Sequence, residues 1–389
     1  MLTLNKTKKV NVGTLLFLFA YSICLIRVCL GNTTFSAYIT MKNPIFIFLL
    51  LISMFCILIK IVFYDKYSIR LIFIFLAIVI VFFLSYHYST YASLFILLFL
   101  FLGSKDVDIK VIVKCHFIIY GIIMLSAFLC SMLGIIDNYV TYSTFRGYRY
   151  SLGNTYPTDF AAGILYLIFD YTFLKRKRWK IYNSIIVIMI GYIVYKVTDA
   201  NASYLLICFF SIFMMLLQNK TFNKIFNNKI FRTLLVIAYP VMAAISLGVQ
   251  YIFMSCNIPL LRKIDLLLNY RLSYGSKAIE QYGIPLFGKY IKFYGNGWGT
   301  NTAINTYFYV DNGYLHFALL YGVVLLFIIC CGYSYVFSKY KKDKSSNVML
   351  LILIFIAVSA IIEPRFLNVL YNAFIFIIGI EVFKNRVQK

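Results

Sequence analysis

Three groups of residues in this 389-residue chain have types and spacing that could do chemistry. The first is the pair Arg146 and Arg149 in Thr144-Phe-Arg-Gly-Tyr-Arg-Tyr-Ser-Leu-Gly. A guanidinium fork matches phosphate oxygens bidentately, so two forks this close in sequence suit a pyrophosphate. The competing use of such an arginine is snorkelling to lipid phosphate. The second is Arg271. If 260–275 is one amphipathic helix, Leu260, Leu261, Ile264, Leu267, Leu268 and Leu272 make an apolar stripe, with Arg262, Lys263, Asp265 and Asn269 to the sides and back. Arg271 then falls in the middle of the stripe, where a charge is costly unless paired. It is expected to meet an anion or a carboxylate inside the fold, unless the helix ends before it.

The third group is Asp311-Asn-Gly-Tyr-Leu, which opens an apolar run. A carboxylate there can cap the helix N-terminus, or serve as a general base at the membrane edge. The glycine-rich stretch Tyr294-Gly-Asn-Gly-Trp-Gly before it lets backbone approach a ligand. Glu363-Pro-Arg365 reads as a tight turn with a local ion pair. Lys196, beside Asp199 and Asn201, and Arg27 could add to a basic cavity. Lys60, Lys114 and Asp170 read as span-end charges, snorkelling or lying beside a basic run.

The elements that must position these residues are set by composition. The chain is 62% hydrophobic and 13% charged, with a mean hydropathy of +0.85, which no soluble globular domain matches. Its apolar runs lack period-two alternation, which excludes an outer-membrane barrel and leaves transmembrane helices. A formal charge of +24 would suit nucleic acid, but the Lys and Arg residues sit between apolar runs, where membrane orientation explains them. No nucleic-acid partner is expected. The nine cysteines fall mostly inside the runs and show neither metal-ligand spacing nor a disulfide framework. His87, His116 and His316 are scattered, so no metal and no cofactor is expected.

A helix needs roughly 20 residues to cross the hydrocarbon. That ruler gives an all-α polytopic membrane protein, a single domain over 1–389, with about 12 transmembrane helices. The spans fall at 12–30, 44–63, 70–86, 90–103, 111–135, 159–174, 181–198, 201–217, 233–254, 312–337, 348–362 and 366–383. The polar stretch Tyr86-His87-Tyr88-Ser89-Thr90 divides 70–103 in two. This count places the run Lys175-Arg176-Lys177-Arg178 with Lys180, and most other basic loop residues, on the cytoplasmic side together with both termini. Two long loops then face outward: 136–158, and 255–311 with its amphipathic helix. Long loops in compact folds are usually functional.

Two segments carry a resemblance: Arg149-Tyr-Ser-Leu-Gly-Asn-Thr-Tyr-Pro before a span, and Asp311-Asn-Gly-Tyr-Leu-His-Phe-Ala-Leu-Leu-Tyr-Gly after the long loop. With the many spans and two outward loops, they resemble the Wzy-type bacterial polysaccharide polymerases, and more distantly the O-antigen ligases and the peptidoglycan polymerases of the shape, elongation, division and sporulation group. The polymerases have essential arginines in two outer loops with a downstream glycine; here Arg146 precedes Gly163, and Arg271 precedes Gly288, at the same interval. Ligases tend to carry His-Asn where this chain has Asp311-Asn312, which favours a polymerase.

The resemblance implies a metal-independent glycosyltransferase of the bacterial cytoplasmic membrane. It would join undecaprenyl-diphosphate-linked oligosaccharides into a surface polysaccharide such as capsule, exopolysaccharide or O-antigen. Asp311, Arg271 and Arg146 take the catalytic roles, and Arg149, Asn312, Tyr314, Lys196 and Arg365 bind substrate. Membrane lipid, a chain-length regulator and a flippase are the implied partners. The alternatives are a ligase-like transferase, or a flippase for lipid-linked oligosaccharide. A flippase usually has evenly spaced spans in two related halves, which the single 57-residue loop 255–311 opposes.

Overall fold

The computed structural model describes residues 11–39, 43–143, 146–256, 258–299 and 307–384. The tail lysines Lys6, Lys8 and Lys9, with Lys42, Arg386 and Lys389, on which the orientation also rested, lie outside these residues, as do Thr144 and Phe145 of the first arginine loop. The first helices are α1 (Val12–Gly31), α2 (Pro44–Ile59), α3 (Ile69–Ser89), α4 (Ser93–Gly103) and α5 (Ile109–Met132). A two-stranded antiparallel hairpin follows, β1 (Val140–Ser143) and β2 (Gly147–Tyr150). Then come α6 (Pro157–Lys175), α7 (Ile181–Thr198), α8 (Asn201–Leu216), α9 (Lys220–Phe226), α10 (Lys229–Val236) and α11 (Ala238–Ser255). The last group is α12 (Pro259–Leu267), α13 (Arg271–Tyr282), α14 (Gly313–Tyr321), α15 (Val323–Tyr340), α16 (Asn347–Ile362) and α17 (Phe376–Val382).

Helix starts follow capping chemistry. Side-chain oxygens of Asn11, Asn43, Asp108, Asn219 and Asn228 accept from backbone N–H groups of the first turns of α1, α2, α5, α9 and α10, with Pro44 opening α2. Eight helices of the described chain are long and apolar enough to cross a membrane, or up to nine if the bent α8–α9 pair is one span. Large apolar side chains such as Phe48 and Phe55 on α2, Phe73 on α3 and Met189 on α7 point away from the bundle, which suits lipid and not water. The protein is an all-α multi-pass membrane protein. At its centre lies α16, packed on α6, α8, α11 and α14 and buried over most of its length.

Several expected spans take another form. The chain does divide between 70 and 103, at Thr90 with φ 59°, but α4 has only 11 residues, roughly 16 Å of helix. The run 312–337 is two helices broken at Gly322, and 366–383 is irregular up to Asn372 and α-helical only from Phe376. The helix expected at 260–275 is also two. The chain turns through Asn269 (φ 55°) and Tyr270 (φ 62°), and the Asp265 carboxylate accepts from Leu272 N and Ser273 N to cap α13. Arg271 therefore opens α13 and sits on no apolar stripe. Lys60 does not snorkel: it is buried, with Nζ 2.7 Å from the Asp65 carboxylate and 2.8 Å from the Lys105 carbonyl.

The break at Gly322 is filled by the long loop. Val323 N and Val324 N donate to the Pro285 and Leu286 carbonyls, and Lys289 N donates to Leu319 O, so residues 285–289 form a strap across the gap. Within the strap, Gly288 has φ +90° and lies against the backbone of Leu320 and Tyr321, so that a Cβ there would clash with Leu320 O. Gly288→Ala should lower the melting temperature, since the conformation alone costs on the order of 1–3 kcal/mol and the backbone clash adds to it. Gly295, with open space around it, is the control. Equal melting of Gly288→Ala and Gly295→Ala would remove the strap's role.

Candidate functional site

Both long loops come together at one end of the bundle, called here the hairpin end. Trp298 Nε1 donates to Asp137 Oδ2 (3.0 Å), Tyr139 Oη to Asn296 O (2.9 Å), and Trp298 N to Thr155 O (2.7 Å). Between them and the turn at Pro364 is a cavity of about 280 Å³. Its walls carry Asp159, Asp311, Arg365 and Asn32, with Tyr156, Tyr307, Tyr309 and Tyr371.

Asp311 meets Arg271 there, Oδ2 to Nε at 3.2 Å, and Arg271 Nη1 donates to Ile362 O at 2.7 Å. The expectation that Arg271 meets a carboxylate is thus satisfied, though through a helix start and not through a stripe. Burial raises the Asp311 carboxyl above the usual carboxylate range, although Arg271 and Arg365 pull it down. Burial likewise raises the Tyr307 hydroxyl, and the Asp311 charge adds to it. Asp311 does not cap α14. That task falls to Asn312, whose Oδ1 accepts from Leu315 N (3.1 Å) and from Ser246 Oγ (2.9 Å).

Arg365 is more than a local turn residue. Its guanidinium joins Asp159 Oδ1 (2.7 Å) and Glu363 Oε2 (2.8 Å), donates to Thr158 Oγ1 (3.2 Å) and lies over the Tyr371 ring. Burial works against this cation, but Glu363 and Asp159 outweigh it and hold its pKa above the ordinary arginine value. Asp159 is fully engaged, accepting from Thr155 Oγ1 (3.0 Å), Arg365 and Tyr371 Oη (3.2 Å). Sequence reading passed over Asp159. Its signal was a carboxylate two residues after Pro157 in the first turn of a helix, facing the Glu363-Pro-Arg365 turn only once the chain is folded.

The remaining expected site residues are dispersed. Arg146 pairs with Asp199 at the end of α7 through both its side chain and its carbonyl. Arg149 is buried behind Tyr156, stacked on its ring at 5.5 Å, with Nε donating to Thr198 O at 2.9 Å. Burial lowers its pKa, offset in part by Tyr156. Among the described residues its Nη2 has no hydrogen-bond partner, and no carboxylate pairs with it. Lys196 is exposed and lies over the Tyr192 ring at 5.3 Å, outside the cavity. Tyr314 is a core residue, fully buried, with its hydroxyl donating to Ala357 O at 3.0 Å; it cannot contact a ligand in the cavity.

The cluster is therefore a set of paired charges and not a basic cavity. Arg271 and Arg365 face three carboxylates, those of Asp311, Asp159 and Glu363. Such a site offers hydroxyl-binding acceptors, aromatic faces, and arginines that become available when a carboxylate loses its charge. No protein-family model, curated protein or solved structure matches the chain.

Proposed function

We propose that the chain polymerises oligosaccharides carried on undecaprenyl diphosphate, at the outer face of the bacterial cytoplasmic membrane, with the hairpin end outward. The observation that carries this reading is the cavity at one end of a membrane bundle, lined by Asp159, Asp311, Arg365 and four tyrosines, with Arg271 paired to Asp311 at its wall. Sugar hydroxyls suit the carboxylates and tyrosine faces, and the arginine forks suit a diphosphate.

In the reaction we propose, the acceptor sugar hydroxyl oxygen attacks the anomeric carbon of the donor. The bond from that carbon to the diphosphate oxygen breaks, with its electron pair leaving on the diphosphate, and the hydroxyl proton passes to Asp311. Asp311 is the better base, because Asp159 is held by three donors while Asp311 meets one arginine among the described residues and has a raised pKa. Protonation also cancels the charge facing Arg271. The guanidinium is then uncompensated as negative charge develops on the leaving diphosphate, and that timing favours the transition state over the ground state.

Purified protein in nanodiscs, supplied with lipid-diphosphate-linked repeat units, should form polymer. Arg271→Lys should lower the rate at least tenfold, since an ammonium lacks the planar fork that meets Asp311 through Nε and Ile362 O through Nη1 and that matches phosphate oxygens bidentately. Wild-type protein that moves these lipids between leaflets without joining them would replace this reading with a flippase. Orientation has its own check. Cysteines at positions 180 and 277, both exposed, should react with an impermeant reagent on intact cells only at 277; the reverse pattern overturns the topology.

A further inference from the structure

We infer that His116 and Asp170, deep within the bundle, are positioning residues for the cavity, holding the segment that carries Arg365 and Tyr371. The inference does not depend on which reaction the cavity performs. His116 of α5 and Asp170 of α6 are 0% and 1% exposed, with Nδ1 and Oδ2 2.5 Å apart. The other imidazole nitrogen, Nε2, lies 2.9 Å from Leu370 O. The sequence reading treated Asp170 as a neighbour of the basic run and His116 as unassigned; the fold corrects both.

The chemistry of the contact is constrained. A carbonyl only accepts, so Nε2 carries a hydrogen. The Nδ1–Oδ2 contact then holds one proton, as imidazolium with carboxylate or as imidazole with carboxylic acid. Both forms have no net charge, which is what an apolar bundle tolerates, and in both the imidazole is oriented to donate to Leu370.

Leu370 is next to Tyr371, whose hydroxyl meets Asp159 at 3.2 Å and accepts from Asn32 Nδ2 at 3.1 Å. The stretch 363–372 forms no regular helix and is held by a few backbone turn bonds together with side-chain bonds. Asp159 and Asp170 lie on one face of α6, about three turns and roughly 16 Å apart. That face therefore grips the stretch at two heights: Asp159 through Tyr371 and Arg365, Asp170 through His116 and Leu370. On α5, one turn beyond His116, Tyr120 sets its ring edge-on to Tyr371 at 6.1 Å. Gly163 gives it room, since a Cβ there would meet the Tyr120 hydroxyl oxygen at 2.4 Å.

Hydrogen–deuterium exchange in nanodiscs tests this without any substrate. The amides of Asn368, Leu370, Tyr371 and Asn372 are hydrogen-bonded and serve as reporters. Asp170→Asn keeps every contact, because its amide donates to Nδ1 of a neutral imidazole whose Nε2–H still reaches Leu370. Its exchange should stay within twofold of wild type. His116→Phe keeps a ring and loses both bonds; exchange at these four amides should rise at least tenfold while α16 stays protected. If that variant does not accumulate, Asp170→Ala, which frees the imidazole to turn, should raise the same amides several-fold. Unchanged exchange in His116→Phe, or in Asp170→Ala where it stands in, overturns the inference. So does loss of protection in Asp170→Asn, which would make the ionisable proton the reason for the pair.

Discussion

Asp311→Asn should accumulate to the normal level and melt normally, yet lose polymer synthesis by a factor of about 10²–10⁴, the range a positioned general base contributes. The fold should survive because the helix cap belongs to Asn312 and the substitution leaves it untouched. The pH dependence gives a second reading. Burial holds the Asp311 carboxyl above the usual carboxylate range, so its ionised form is lost as pH falls through a value higher than that of a free aspartate. The wild-type rate should fall along this acid limb, and the residual rate of Asp311→Asn should lack it. A near-normal rate in the variant would move the base to another carboxylate, with Glu363 first in line.

Arg365→Met should have the largest effect on stability. It leaves Glu363 and Asp159 without their cation, and Glu363 is 5% exposed. Removing one member of a buried ion pair costs about 3–5 kcal/mol, because the partner charge stays behind uncompensated. The variant should unfold well below wild type and be partly rescued by Glu363→Gln, which removes the stranded charge. If the double variant melts no higher than Arg365→Met alone, Arg365 stabilises by packing and not by charge. Arg365→Lys should fall between, since one ammonium cannot engage both carboxylates in the geometry of the fork.

The helical, membrane-crossing character of the chain was legible because it is written in composition, and the division near Thr90 because a polar cluster interrupts an apolar run. Arg271 does meet a carboxylate, one of the two partners expected, but not for the expected reason, since the apolar stripe that made its charge costly does not form. The route to it was not legible: two consecutive left-handed residues, Asn269 and Tyr270, break the helix, and neither is a glycine that would announce it. Asp311 was expected as base or cap, and adjacent Asn312 took the cap, because only the folded start of α14 decides which side chain faces the free N–H groups. His116 and Asp170 are far apart in sequence, and each alone resembles an ordinary span-end or core residue. Only the packing of α5 on α6 makes them a pair. Tyr314 and Lys196 were chosen by neighbourhood in sequence, which on a helix sends side chains to different faces.

The strap at 285–289 also imposes an order of events during synthesis. Its carbonyl and amide partners lie at 319–324, so the strap is made before the helix break it fills exists. At about 5–20 residues per second, the strap waits a few seconds undocked. Chains stopped between Gly295 and Gly313 would expose that strand of backbone with nothing to pair it. Such truncations should be cleared by membrane proteases faster than chains reaching the end of α15, which have the α14–α15 break that the strap fills.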